Sequence, residues 1–299
     1  MNKFIKLSPS VAEAINHRRP ILALESTIIS HGMPYPQNLH VAEKLENIVS
    51  QAGVVPATIC LMNGFIQVGL DGNELEILAT AKKVAKVSSR DIGRVLATNQ
   101  IGATTVAATM KIAAWAGIKV FATGGIGGVH RQAENTFDIS NDMIELSRNP
   151  VIVVSAGAKA ILDLPKTLEY LETMGVAVLG YQTDNFPAFY SAESEYKIDR
   201  IDSIKDIAAI YNTNCELNLK TGMLIANPVP KEHEIPYSEM NEFIQTALRK
   251  AEVEKITGRN LTAFLLAEIV KLTKGRSLQT NIELVKNNVR LACEIAKAL

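Results

Sequence analysis

The sequence lacks the features that would commit it to a charged or a cross-linked surface. Basic and acidic residues balance at 31 each, so there is no basic excess of the kind that nucleic acid or an anionic membrane requires of a partner. Cysteine is scarce: Cys60, Cys215 and Cys293 are odd in number, widely spaced and without any C-x-x-C pair. That argues against a disulfide framework or a cysteine zinc site and points to a reducing compartment. Each is expected to be a small core filler, Cys60 in ATICLM most of all. No apolar run reaches the ~20 residues of a membrane span, and MNKFIKLSPSVAEAINHRRP has no apolar signal core. The expected location is cytoplasmic, with neither nucleic acid nor membrane as partner. Linkers rich in Pro, Gly or Ser, blocks of like charge and internal repeats are also absent, so residues 1–299 are read as one domain.

What is present is an alternation of apolar runs with helical patterns. At 47% hydrophobic and 21% charged, the composition suits a globular chain with a substantial core. Strands are expected at PILAL (20–24), ATICLM (57–62), FIQVGL (65–70), IKVFAT (118–123), VIVVSA (151–156), VAVLGY (176–181) and GMLIANPV (222–229). Helices are expected over 39–53, 72–83, 104–117 and 165–175, and from Pro228 to the end. Val41, Leu45, Ile48 and Val49 recur at helical spacing, Pro165 suits a helix start, and Gly53 and Gly175 suit helix stops. The pattern predicts an α/β fold with helices on both faces of a largely parallel or mixed sheet. The polar stretch 191–206 reads as a peripheral excursion.

Sites in such sheets gather where strands give way to loops, and four segments have that position. In LESTIISHGMPYPQN (24–38), Glu25 directly follows a strand and could handle a proton, with a salt-bridged or capping glutamate as the plain reading, while His31 before Gly-Met-Pro reads as a satisfied loop histidine in preference to a ligand-facing one. ATGGIGGVHR (122–131) packs four glycines into five residues, which lets backbone approach a ligand. With His130 in place of a last glycine it is not G-x-G-x-x-G, and no P-loop exists, so a nucleotide cofactor is unsupported. NTFDISNDMIELS (135–147) holds Asp138, Ser140, Asn141 and Asp142 before a helical pattern. Capping by Ser140 or Asn141 is the plain reading. A phosphate site with a hard divalent cation on a carboxylate is the functional one. SAGAKAILDLPKT (155–167) carries two lysines. Lys159, just past a strand and a glycine turn, is placed for the partial desolvation that favours a neutral, nucleophilic amine. Lys166, on an amphipathic helix start, is expected to be exposed and charged.

Together LALESTIISHGMPYPQN, VAKVSSRDI (84–92), GATTVAATM, FATGGIGGVHR, TFDIS, SAGAKAILDLPKTLEYLE and GYQTDNFPAFY resemble the pseudouridine-5′-phosphate glycosidases. That family also includes the protein named from indigoidine pigment clusters. The resemblance runs from about residue 5 to the last helix. It implies a single catalytic domain of three-layer α/β/α fold, a homotrimer, and a divalent metal, Mn²⁺ above all. It also implies reversible cleavage of the carbon–carbon glycosidic bond of pseudouridine 5′-phosphate to uracil and ribose 5-phosphate. Carried over motif by motif, it makes Lys159 the Schiff-base lysine and Glu25 the proton-handling residue. It gives substrate contacts to Lys86, Val106, Ser140, Asn141 and Asp142, metal binding to Asp138, and uracil contacts to Thr123, His130 and Asn281. Asn287 and Asn288 lie close to the last of these in sequence. Two other readings stay open: another lysine-dependent phosphosugar enzyme, such as an aldolase or a C-glycoside synthase, and a non-catalytic phosphometabolite-binding protein.

Overall fold

The computed structural model describes residues 2–256 and 261–299. In chain order the elements begin with β1 (Ile5–Leu7), α1 (Pro9–Asn16), β2 (Ile21–Leu24), α2 (Gln37–Gln51), β3 (Val55–Met62), β4 (Phe65–Val68), α3 (Gly72–Thr80), β5 (Ala85–Val87) and α4 (Ile92–Ala97). They continue through β6 (Gly102–Thr104), α5 (Val106–Ala116), β7 (Val120–Ala122), α6 (Ala133–Thr136), α7 (Asn141–Leu146), β8 (Ile152–Ser155), α8 (Leu164–Thr173) and β9 (Ala177–Tyr181). The last are β10 (Asp199–Ile201), α9 (Ile204–Glu216), β11 (Met223–Ala226), α10 (Tyr237–Val253), α11 (Leu261–Leu272) and α12 (Arg276–Ala298).

The strands run in the order β1-β4-β3-β2-β7-β8-β11-β9-β10. From the first half of β3 to β10 every pairing is parallel. Strands such as IVVS of β8 and MLIA of β11 are buried throughout. A sheet covered on both faces needs such continuous apolar runs rather than alternation. Past Thr58, β3 changes partners: Ile59–Met62 pairs antiparallel with β4, and Cys60 and Leu61 with β6, which in turn carries β5. Two fully buried hydroxyls fix this fork. Both Ser26 and Thr104 donate to the Ile59 carbonyl, at 2.6 and 2.7 Å, and the Thr104 amide donates back to Ser26 Oγ at 2.8 Å. Paired this way, polar groups inside the core cost little.

Helices cover both faces, so the α/β layering expected from the sequence is the one observed. α12 lies against β2, β7 and β8 with α2 and α9 beside it, while α5, with α7 beside it, packs on β2 and β7. α12 buries Ile282, Val285, Val289, Ala292 and Ile295 among others, each large aliphatic side chain contributing about 1.5–3 kcal/mol on burial. In α5 the Ala- and Thr-rich sequence lets eight residues be buried, so its backbone approaches the sheet closely.

Several expectations need correction. β1, β5, β6 and β10 are strands of three residues each, too short to show a period. The 191–206 stretch is no mere excursion. Ser191 and Ser194 are buried, their hydroxyls donate to the carbonyls of Ile235 and Phe186, and the stretch supplies the edge strand β10. Cys60 and Cys293 are buried fillers, with burial and then the Glu74 charge pushing the Cys60 thiol up to about 12, but Cys215 is exposed.

Candidate active site

Parallel pairing sets the ends of β2, β7 and β8 side by side: Leu24 faces Ala122, and Ala122 faces Val154. The residues that follow therefore converge. Glu25 leaves β2 and its carboxylate accepts on both oxygens, from the Thr27 hydroxyl on one and the Thr123 hydroxyl on the other. Thr123 is buried, and its carbonyl accepts from the fully buried Asn288 side chain at 2.8 Å, while Asn227 donates to Asn288 at 3.0 Å.

The glycine run and the SAGAK segment continue the pairing of β7 and β8 beyond the sheet. Ala156 donates to the Gly124 carbonyl at 2.9 Å, Ile126 to Gly157 at 3.1 Å, and Lys159 to Ile126 at 3.0 Å. Gly157 has φ +79, and a side chain there would meet the Pro187 carbonyl at 2.2 Å. A side chain on Gly125 would meet the Phe189 ring at 2.5 Å. The glycines thus serve close packing of two loops, and the result is that Lys159 is held at the cavity wall.

A second set of side chains reaches the cavity from the antiparallel part of the sheet. Lys86 lies on β5, Ser88 and Arg90 follow it, and Thr105 and Val106 open α5. The Thr105 side chain does not cap its helix, and its buried Oγ1 has no hydrogen-bond partner among the described residues. Ser140 caps α7 by accepting from the Asp142 amide at 3.2 Å, as the plain reading of that segment expects. The Asn141 side-chain amide donates to Ser89 Oγ at 2.7 Å. Asp142 is buried, and its two oxygens accept from the Ala107 and Gly127 amides at 2.8 and 2.7 Å. One carboxylate thereby joins α5, α7 and the glycine run, and its oxygens are already engaged by backbone.

His130 lies between these sets. Burial holds its imidazole below the ordinary 6.5, the charges of Lys159 and Lys86 lower it further, and Asp138 works in the opposite direction. The His130 amide donates to the Asp138 carbonyl at 3.0 Å. Glu25, Lys86, Val106, His130, Ser140, Asn141, Asp142, Lys159 and Asn281 line one cavity of about 420 Å³, whose wall includes neither Thr123 nor Asp138. Of the three candidate asparagines, Asn288 is spent on Thr123 and Asn287 donates to the Pro228 carbonyl, so Asn281 is the one at the wall. Lys166 is elsewhere, exposed, with its ammonium 2.7 Å from Glu134 and 3.2 Å from Asp163; hydrogen bonds to these two raise it above its ordinary value.

Among the described residues no cluster of three or more His, Cys, Asp or Glu side chains could hold a metal. An all-protein cage is thereby excluded among these residues, and a hard cation here would have to take most of its ligands from water and substrate phosphate, with one or two carboxylates from the protein. Reasoning from sequence missed Thr27, Thr105, Phe189 and the α11 residues Thr262, Ala263 and Leu266, all of which line the cavity. The π-helical turn Ile28–Gly32 also brings His31 to the wall, which favours the ligand-facing reading of this histidine over the satisfied-loop one.

Fold and site together define a class: an α/β protein with a small-molecule cavity at the carboxyl ends of its parallel strands, with an amine and a carboxylate in its wall. Within that class, the chain belongs to the family described as indigoidine synthase A like protein, which matches residues 10–298. A pseudouridine-5′-phosphate glycosidase of Caldanaerobacter subterraneus subsp. tengcongensis is 54% identical over 300 residues, covering 100% of this chain and 98% of its own. One from Solibacter usitatus is 56% identical over 296 residues, with 99% of each chain covered. The solved structure of the prealnumycin C-glycosynthase AlnA in complex with ribulose 5-phosphate is similar at TM-score 0.93 and 36% identity, covering 100% of this chain and 98% of that one. An indigoidine synthase A-like protein from Thermotoga maritima gives TM-score 0.89 at 34% identity over 98% and 95% of the two chains. Among the described residues no helix is long and apolar enough to cross a membrane.

Proposed function

We propose that the protein is a pseudouridine-5′-phosphate glycosidase that works through a lysine Schiff base. The observation that carries this reading is that Lys159 and Glu25 line one cavity together with Lys86. Relatives sharing more than half their residues with this chain bear that enzyme's name.

The leaving atom is carbon 5 of uracil, a poor leaving group unless protonated, so a pair of carboxylates as in ordinary glycosidases does not suffice. In the proposed sequence Glu25 gives a proton to the ribose ring oxygen as its bond to C1′ breaks, and Lys159 Nζ, as the neutral amine, forms a bond to C1′ and passes a proton to the Glu25 carboxylate so formed. The nitrogen lone pair then forms C1′=N as the C1′–C5 bond breaks, its electron pair staying on carbon 5, which takes up that proton from Glu25. Water hydrolyses the iminium, freeing Lys159 and ribose 5-phosphate. Thr27 and Thr123 hold the Glu25 carboxylate in place. Lys86, Val106 and the 140–142 segment hold the phosphorylated end, so that remote binding orients C1′. His130 and Asn281, which line the cavity, are assigned to polarising the uracil carbonyls. Asp138 is the residue that would hold a Mn²⁺ ion, which when bound supplies charge neutralisation for the phosphate. A homotrimer and a cytoplasmic location go with this reading.

To test it, pseudouridine 5′-phosphate is supplied with Mn²⁺ and uracil release is followed by absorbance. The protein is then incubated with ribose 5-phosphate and borohydride and mapped by peptide mass. The expected results are uracil release and a reduced adduct on Lys159. An adduct on Lys166, or none beside a competent control enzyme, would sink the mechanism. The likeness to a C-glycosynthase favours a second use of the same site, bond formation. Supplying uracil and ribose 5-phosphate alone, and looking for the C-nucleotide, tests that direction.

A further inference from the structure

His31 has no part in the scheme above, yet three observations place it in the site. First, it sits on the π-helical turn Ile28–Gly32, which begins shortly after Glu25, and it lines the same cavity. Single π turns are rare, and those that occur are frequently at functional sites. Second, its ring makes no hydrogen bond among the described residues, whereas His17, on the outer surface, bonds the Glu13 carbonyl at 2.9 Å. Third, it lies within electrostatic reach of Lys86, which lines the same cavity along with Arg90 and Thr105.

The cavity wall around Lys86 offers groups that suit an anion. Lys86 and Arg90 supply cationic groups against the one carboxylate of the neighbouring Asp91, α5 begins beside β5 with the Thr105 amide on the Val87 carbonyl, and the buried Thr105 hydroxyl lacks a partner among the described residues. Partial desolvation by the cavity wall, with the Lys86 charge second, holds the His31 imidazole below its ordinary range. The bias is toward the uncharged ring, which has one N–H to give and one nitrogen to accept.

We propose that His31 is a further substrate-binding residue, donating an imidazole N–H to a phosphate oxygen of the sugar phosphate beside Lys86. The identity of the substrate rests on the glycosidase reading; the anion corner does not. A neutral donor beside an ammonium has a physical advantage. It adds a directed hydrogen bond to the phosphate without adding to the fixed positive charge that Lys86 and Arg90 already place in the empty site.

The test is calorimetric binding of inorganic phosphate, ribose 5-phosphate and uracil to the wild-type protein, His31→Ala and His31→Gln, with kcat and KM alongside. As a whole residue His31 keeps much of its surface in solvent, so neither change threatens the core. In His31→Ala both phosphate ligands are expected to bind about 3–10-fold more weakly, the size of one hydrogen bond. Uracil affinity should hold, KM should rise by more than kcat falls, and His31→Gln, which keeps an N–H donor, should recover part of the loss. Unchanged phosphate affinity in His31→Ala would overturn the proposal, as would a fall in kcat or uracil affinity with phosphate binding intact. A wild-type protein that binds phosphate through His31 but releases no uracil from pseudouridine 5′-phosphate would refute the glycosidase reading and leave this inference standing.

Discussion

The parallel and antiparallel parts of the sheet contribute to the site by different routes. In the parallel part, β2, β7 and β8 end level with one another, and Glu25, Thr123 and Lys159 follow those ends almost at once. Topology alone makes them meet. In the antiparallel part, β5 and β6 hang on the far half of β3, and Lys86, Arg90 and Thr105 arrive only because β3 changes partners at Ile59. The proposed reaction divides partly along this line: the groups that make and break bonds come from the parallel strand ends, and the cationic groups that grip the anion, Lys86 and Arg90, come from the antiparallel part, while His31 and the 140–142 segment reach the anion from the parallel side.

The largest expected effects test that division directly. Lys159→Ala should lower kcat by on the order of 10⁴-fold or more, as loss of a covalent nucleophile does, and should abolish the borohydride adduct while ribose 5-phosphate still binds. Lys86→Ala should do the opposite, raising KM and weakening ribose 5-phosphate with a smaller change in kcat. Lys166→Ala, seven residues along from Lys159, serves as the control: its ion pairs are exposed and contribute little, so both constants should stay at wild-type values. Steady-state kinetics of the three variants decides it. If Lys159→Ala and Lys86→Ala lost kcat and KM in the same proportion, the division of labour between the two parts would be wrong.

A middle-sized effect is expected where the parts are joined. Asp142 accepts from Ala107 at the start of α5 and from Gly127 in the loop beyond β7. Asp142→Asn keeps the shape but turns an NH₂ group toward one of those amides, leaving a buried donor unpaired at a cost of about 1–3 kcal/mol. Denaturant unfolding should show that loss, and KM should rise with it as the phosphate and lysine sides lose register. A variant as stable as the wild type would mean that the clamp is dispensable.

The same contrast decides what could be read from the sequence. β2, β7 and β8 are buried along nearly their whole length, so the apolar runs PILAL, IKVFAT and VIVVSA announce strands, and the residues after them announce a site. Lys159 rather than Lys166 follows from that logic. The fork in β3 leaves no such trace, because ATICLM is equally apolar on either side of it, and AKV and GAT are too short for a period to register. Ser26 and Thr104, which fix the fork, look like ordinary polar residues until their shared acceptor, the Ile59 carbonyl, is seen. The role of Asp142 was also hidden. Its position before a helix marks a cap or a ligand, while its partners come from elements remote in sequence. Lys86 entered through resemblance rather than through any property of its own segment.

The smallest expected effect concerns His130, where groups of both parts meet. Burial holds its imidazole below the ordinary 6.5, with Lys159 from the parallel part and Lys86 from the antiparallel part both adding to the shift and Asp138 opposing it. Between the folded value and the ordinary one, the unfolded chain binds the proton more readily. Stability contributed by this group is therefore full above the ordinary histidine value and is lost as pH falls through the folded one. His31 is shifted in the same direction and adds to the slope. Replacing His130 with Gln removes one titration while keeping a polar side chain. Tm measured in metal-free buffer from about pH 7.5 down to about pH 5.5 should then decline less steeply than in the wild type. Asp138→Asn should act the other way and steepen the decline, because it takes away the charge that favours the imidazolium. If His130→Gln left the slope unchanged, His130 would not be desolvated between the two lysines, and the meeting of the two parts at this side chain would have to be redrawn.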